Sequence, residues 1–170
     1  MKRFRITVIL AGLLVFITAS PFLTLADETS EKVSPAFSIE GLSYQLNDSQ
    51  EKSIHPGDTI DVAVGDTLTL KKLVFITDVS EKDLRCWAEA YLHDGSIGGE
   101  EGVDYKNGRT ASHRDSVSDN KYALTFDSHP WILGKNHDRV TVTLVHQYGR
   151  GNKDFKAVDT ISIPLISKQK

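Results

Sequence analysis

The chain predicts an all-β protein: a single antiparallel sandwich of about seven to eight strands behind an N-terminal export signal. Three observations carry that expectation. Apolar residues recur at every second position in short runs between residues 36 and 167. No window keeps helical spacing for three turns. Polar clusters holding Gly, Asn or Pro separate the runs at even intervals, as turns do in a sandwich.

The first element is not part of that fold. Lys2, Arg3 and Arg5 precede an apolar run from Ile6, which closes on Leu23-Thr24-Leu25-Ala26 before Asp27-Glu28. A cationic start, an apolar middle and small residues before the cut define a secretory signal peptide, with cleavage expected after Ala26. The alternative is a retained anchor, because Ile6 to Leu25 is long enough to span a bilayer. No later segment approaches that length. Residues 27–35 read as a disordered polar tail, and residues 36–167 as the folded domain.

Within the domain, Phe37 and Ile39, then Leu42, Tyr44 and Leu46, alternate with polar residues, and the phase slips at Gly41. A one-residue slip of this kind marks a β-bulge. Asn47 to Gly57 is a loop, Ile60 to Val64 a short strand, and Gly65-Asp66 a turn. Thr67 to Thr77 carries a second slip at Lys71-Lys72, between Leu68/Leu70 and Leu73/Phe75. From Leu84 to Leu92, one row holds Leu84, Cys86, Ala88, Ala90 and Leu92, and the other holds Arg85, Trp87, Glu89 and Tyr91. A long excursion, residues 94–121, follows, with a hairpin expected at Asn107-Gly108. Tyr122 to Phe126, Val140 to Tyr148 and Phe155 to Ile166 complete the strands. Phe155, Ala157, Asp159, Ile161, Ile163 and Leu165 are expected on one face of the last, and Pro164 suits an edge.

Composition narrows the function. Net charge is −3 and becomes more acidic once Lys2, Arg3 and Arg5 leave with the signal, which speaks against nucleic acid and against anionic lipid as partners. Cys86 is the only cysteine, so no internal disulfide can form and the domain must rest on its apolar core. Its place in the apolar row predicts a buried, unreactive thiol.

Asp61 to Leu70, with its Gly65-Asp66 turn before a strand, resembles the opening of bacterial immunoglobulin-like modules. Arg139 to Gly149 and Asp159 to Leu165 resemble their paired closing strands, and Ala90 to Gly95 is similar to a mid-strand of adhesion-type and PKD-like modules. The resemblance spans about half of residues 27–170 and implies an immunoglobulin-like β-sandwich used for adhesion, spacing or ligand binding. It brings no catalytic residues with it.

Candidate chemistry is sparse. Six histidines (His55, His93, His113, His129, His137 and His146) show no metal-binding spacing, although His129, His137 and His146 have the chance to meet. Asp94, Glu100, Glu101 and Asp104 lie among glycines and offer the oxygen ligands Ca²⁺ takes, without the calcium-loop pattern. No cofactor is expected otherwise. Ser112-His113-Arg114-Asp115 holds the letters of a hydrolase relay, but neighbours on a strand point to opposite sides. Asn47-Asp48-Ser49 matches a glycosylation sequon.

Aromatics are the better lead. Trp87 and Tyr91 share the more polar face of their strand, and Trp131 sits in a loop; all three are candidate ligand-binding residues. The sequence reading is a secreted, periplasmic or cell-surface module, non-catalytic, that binds another protein or a glycan. Protein–protein contact comes first, a carbohydrate-binding module second, and a small extracellular metal-dependent hydrolase third.

Overall fold

A computed structural model describes residues 36–96, 107–127, 129–148 and 154–168. The described residues form ten strands and no helix: β1 (Phe37–Leu46), β2 (Lys52–Ile54), β3 (Ile60–Val62), β4 (Thr67–Thr77), β5 (Cys86–Asp94), β6 (Arg109–Ser118), β7 (Lys121–Phe126), β8 (Trp131–Ile132), β9 (His137–Gln147) and β10 (Phe155–Ser167). The strand count exceeds the expected seven to eight because β2 and β8 are too short to leave a periodic trace and β6 buries only Ala111. The expected signal and tail, residues 1–35, lie outside the described residues.

Hydrogen bonding runs as one continuous path, β2-β1-β4-β7-β6-β5-β9-β10-β3, with β8 attached to β4. Every pairing is antiparallel except β10 with β3, and the sheet curls into a half-barrel. The curl turns on β6. Arg109 to Ala111 pair with β5, whereas Ala111 to Ser118 pair with β7, so the strand leaves one neighbour for the other. At the opposite side the Ile39 amide of β1 donates to Asp159 Oδ2 of β10 at 2.6 Å, drawing the two together. Side chains turned inward from all long strands then bury one another, among them Leu42, Leu68, Leu73, Phe75, Leu124, Val140, Val142, Leu144 and Ile163. That shared burial outside water is what holds a disulfide-free domain of this size.

Both phase slips in the first strands appear where expected. The β1–β4 register shifts between Ile39 and Gly41, and again opposite Lys71, so Leu68, Leu70, Leu73 and Phe75 all reach the core. Gly41 is there because β2 comes close: a Cβ would stand 2.9 Å from the Ile54 carbonyl.

Three expectations need correction. First, β10 does not keep one phase, because its register with β9 shifts between Ala157 and Asp159. Val158 therefore packs toward the core with Ile161, Ile163 and Leu165, while the Asp159 carboxylate reaches the edge of β1. Second, much of the excursion is the ten-residue strand β6, hidden from pattern reading because only Ala111 of it is buried. Third, Gly108 has no left-handed backbone, so Asn107-Gly108 does not form the mirror-image hairpin turn. The tight turn is Asp119-Asn120, joining β6 to β7, with Asn120 at φ 60°.

Candidate functional site

Strand β5 builds the candidate site. Its inward residues Ala88, Ala90 and Leu92 are small or aliphatic and buried, which seats the strand close against the core. Its outward row is Trp87, Glu89, Tyr91 and His93. The Glu89 carboxylate sits between the two aromatics and holds both: Oε1 accepts from Trp87 Nε1 and Oε2 from Tyr91 OH, each at 2.9 Å. Hydrogen bonds to a carboxylate are stronger than those between neutral groups, so the Trp87 and Tyr91 rings are each fixed by their polar end. Trp87 and Tyr91 are both half-buried.

The neighbouring strands extend this surface. Val145, Thr143 and Thr141 of β9 stand opposite Trp87, Glu89 and Tyr91. Ala157, Thr160 and Ser162 of β10 continue the same rows. Phe155 of β10 is 63 % exposed, and its ring meets Trp87 edge-on, with centroids 5.7 Å apart. At the other end Gly108 approaches so closely that a Cβ would lie 2.8 Å from Tyr91 Cε1. The glycine of the Asn-Gly pair thus serves close packing on Tyr91. The result is a three-stranded outer face with an aromatic edge and a threonine-rich middle.

Trp131 is placed differently. It is 4 % exposed, pairs with Leu68 through β8, and donates its Nε1 hydrogen to the Asn107 carbonyl at 2.8 Å. Arg109 lies over the indole at 5.1 Å and bonds the carbonyls of Asn107, Gly108, His129 and Pro130. Trp131 closes an end of the half-barrel, far less open to a ligand than Trp87. The cleft beside it, lined by Leu92, Arg109, Pro130 and His137, encloses about 270 Å³. A cleft on the outer side of β1 and β4, lined by Gly41, Ile54, Val74 and Val117, encloses about 200 Å³. Both fall below the ~300 Å³ at which small-molecule sites begin.

The remaining candidates do not converge. Among the described residues no three His, Cys, Asp or Glu side chains come together. His137 Nδ1 accepts from the Gly134 amide, and His146 is buried against Phe37 and Tyr148. Of the calcium candidates, Glu100, Glu101 and Asp104 lie outside the described residues. Asp94 Oδ1 accepts from both the amide and the hydroxyl of Ser96, which holds its carboxyl below the usual carboxylate range. His113 and Asp115 form an exposed pair at 3.4 Å, while Arg114 between them turns inward to the Leu84 and Glu81 carbonyls. The sequon residue Asn47 donates from Nδ2 to Asp66 and accepts from the Thr67 amide, binding the loop to the β3–β4 turn.

Cys86 is half-buried, packed on the core at the end of the inward row. Burial pushes its thiol up to about 11, with Arg114 opposing the rise. Little thiolate exists at neutral pH, so this is no nucleophile. Comparison with known proteins finds no matching family model, no matching curated protein and no matching solved structure.

Proposed function

We propose that this chain is an exported, non-catalytic binding or adhesion module. In this reading residues 1–26 direct export, the half-barrel works as an immunoglobulin-like sandwich, and the outer face of β5, β9 and β10 meets another protein. The observation that carries it is the carboxylate-held pair Trp87 and Tyr91 beside exposed Phe155. Aromatics fixed in advance lose little entropy on binding, and such residues dominate the energetics of protein interfaces. The face lies on the outside of a curled sheet rather than in a cleft, which suits a macromolecular partner better than a small substrate.

A photo-crosslinking residue at position 155 should give discrete protein adducts outside the cytoplasm, and Trp87→Ala should abolish them. The same residue at position 51, in the loop before β2, should give none. Equal adducts from both positions would defeat the assignment of this face. A glycan partner is favoured by one further observation: hydroxyls of Thr143, Thr160 and Ser162 line the face beside the rings, with Thr160 Oγ1 3.2 Å from Thr143 Oγ1. Sugars stack on aromatics and bond to such hydroxyls. A glycan array positive with the native protein and silent with Trp87→Ala would select that reading.

A further inference from the structure

Two histidines are buried in a way the binding face does not explain. His146, 4 % exposed, projects inward from β9, its ring 5.0 Å from Phe37 at the start of β1 and 4.7 Å from Tyr148. Neither ring nitrogen completes a well-formed hydrogen bond, although the Asp83 backbone of the β4–β5 loop lies close enough to favour a proton there. Opposite it stand Cys86 on β5 and Lys156 on β10, and Arg114 of β6 reaches the Cys86 thiol. Every cation among these neighbours repels a second proton. Neither cross-strand partner of His146 carries a carboxylate.

His93, 6 % exposed, ends the outward row of β5. Its Nε2 shares a 2.7 Å hydrogen bond with Thr141 Oγ1, and its Nδ1 has no partner. Its cross-strand neighbour is Arg139, whose charge disfavours protonation, while Asp138 acts weakly the other way. Asp94 follows it on its own strand. In both rings burial is the first cause holding the imidazole neutral below its ordinary range.

We propose that His146 and His93 are two acid-sensitive latches, His146 at the Phe37 end of the sheet and His93 at the far end of β5, that loosen when the surroundings fall below neutral pH. The ring of His146 is what Phe37 and Tyr148 pack on. Phe37 begins the stretch of β1 whose Ile39 amide is held by Asp159 of β10. Taking a proton drives the imidazole toward water, removes that packing and frees the β1–β10 contact. The sign follows from linkage. In the unfolded chain both histidines titrate near 6.5, and in the fold both titrate lower, so below 6.5 the unfolded state holds more protons. Stability is complete above 6.5 and is lost as pH falls from there toward the folded values. Each histidine raises the unfolding constant by up to about tenfold per pH unit within that window, and the pair by up to about a hundredfold.

Urea unfolding of the purified protein between about pH 7.5 and 5 tests this, on the wild type, on His93→Gln/His146→Phe and on the exposed control His113→Ala. The wild type and the control should lose stability in parallel as pH falls, and the double variant should stay within about threefold over the same range. A wild-type unfolding constant that does not move, or a double variant that falls as steeply, overturns the latches. Should the double variant fail to fold, ring titration of the wild type by NMR decides. Both buried imidazoles must titrate below 6.5, and either one at or above that value refutes the proposal.

Discussion

Strand β6 closes two ends of the half-barrel with the same device, an arginine that grips backbone carbonyls while lying over an aromatic ring. Arg109 bonds four carbonyls and covers Trp131 at 5.1 Å. Arg114 bonds the Leu84 and Glu81 carbonyls and covers Tyr122 at 5.4 Å. The difference lies in what each leaves unpaired. At the Arg109 end the indole nitrogen has its acceptor. At the Arg114 end the imidazole of His146 is buried without a well-formed partner, and the Cys86 thiol is pushed upward. Unpaired buried polar groups are costly. The Arg114 end leaves both nitrogens of an inward ring unpaired, against the single Nδ1 of His93 toward the Arg109 end, so the second end is the weaker closure.

The comparison can be broken by substitution, and the largest effect falls on Trp131. Trp131→Ala removes the buried plug and orphans Arg109, and should cost about 3–5 kcal/mol in urea unfolding. A loss below ~1 kcal/mol would show that the Arg109 end does not depend on it. Arg114→Ala should cost about 1–3 kcal/mol, by leaving the part-buried Leu84 carbonyl without its charged donor. Arg114→Lys should recover little of this, since an ammonium lacks the guanidinium fork.

Gly108→Ala ranks next. The new methyl group meets the Tyr91 ring, so unfolding should show a loss of about 1–3 kcal/mol, and Gly108→Ala/Tyr91→Leu should recover part of it. Labelling of Cys86 by a thiol reagent at neutral pH should be slow and should quicken in urea, because the pKa near 11 leaves little thiolate in the fold. Fast labelling without denaturant would mean that the Arg114 end is already open. The smallest effect belongs to Asp115→Ala. Its pair with His113 is 77 % and 55 % exposed, and stability should stay within about 0.5 kcal/mol of wild type.

What was legible in the sequence was the period of two. It located the long strands, the bulge at Gly41 and the slip at Lys71, because each displaces large aliphatic residues whose phase can be read directly. Bulges that move polar residues were not legible. The register of β6 with β7 shifts between Ala111 and His113, and this turns Arg114 to the side of buried Leu124. Ser112, His113 and Arg114 carry no apolar phase from which that shift could be read. The Val158 bulge was missed because Ala157 and Val158 are both apolar, leaving two phases equally plausible.

The candidate site divides in the same way. Trp87 and Tyr91 were placed on one face by alternation alone, and the structure adds Glu89 between them and Phe155 from a distant strand. Phe155 was assigned to the row of Ile161, and only the bulge separates them. The burial of Trp131 depends on Asn107 and Arg109, which are more than twenty residues away, and local spacing carries no signal for such contacts. His146 could have been noticed, since it continues the inward row of Val140, Val142 and Leu144.

The most direct measurement is oxidative footprinting of the protein in its natural surroundings, compared with the same protein purified. If the outer face of β5, β9 and β10 is where a partner sits, Trp87, Tyr91 and Phe155 will be protected in place and labelled once purified, with Trp131 equally protected in both. Equal labelling of Trp87 and Phe155 in the two settings would contradict the assignment of that face.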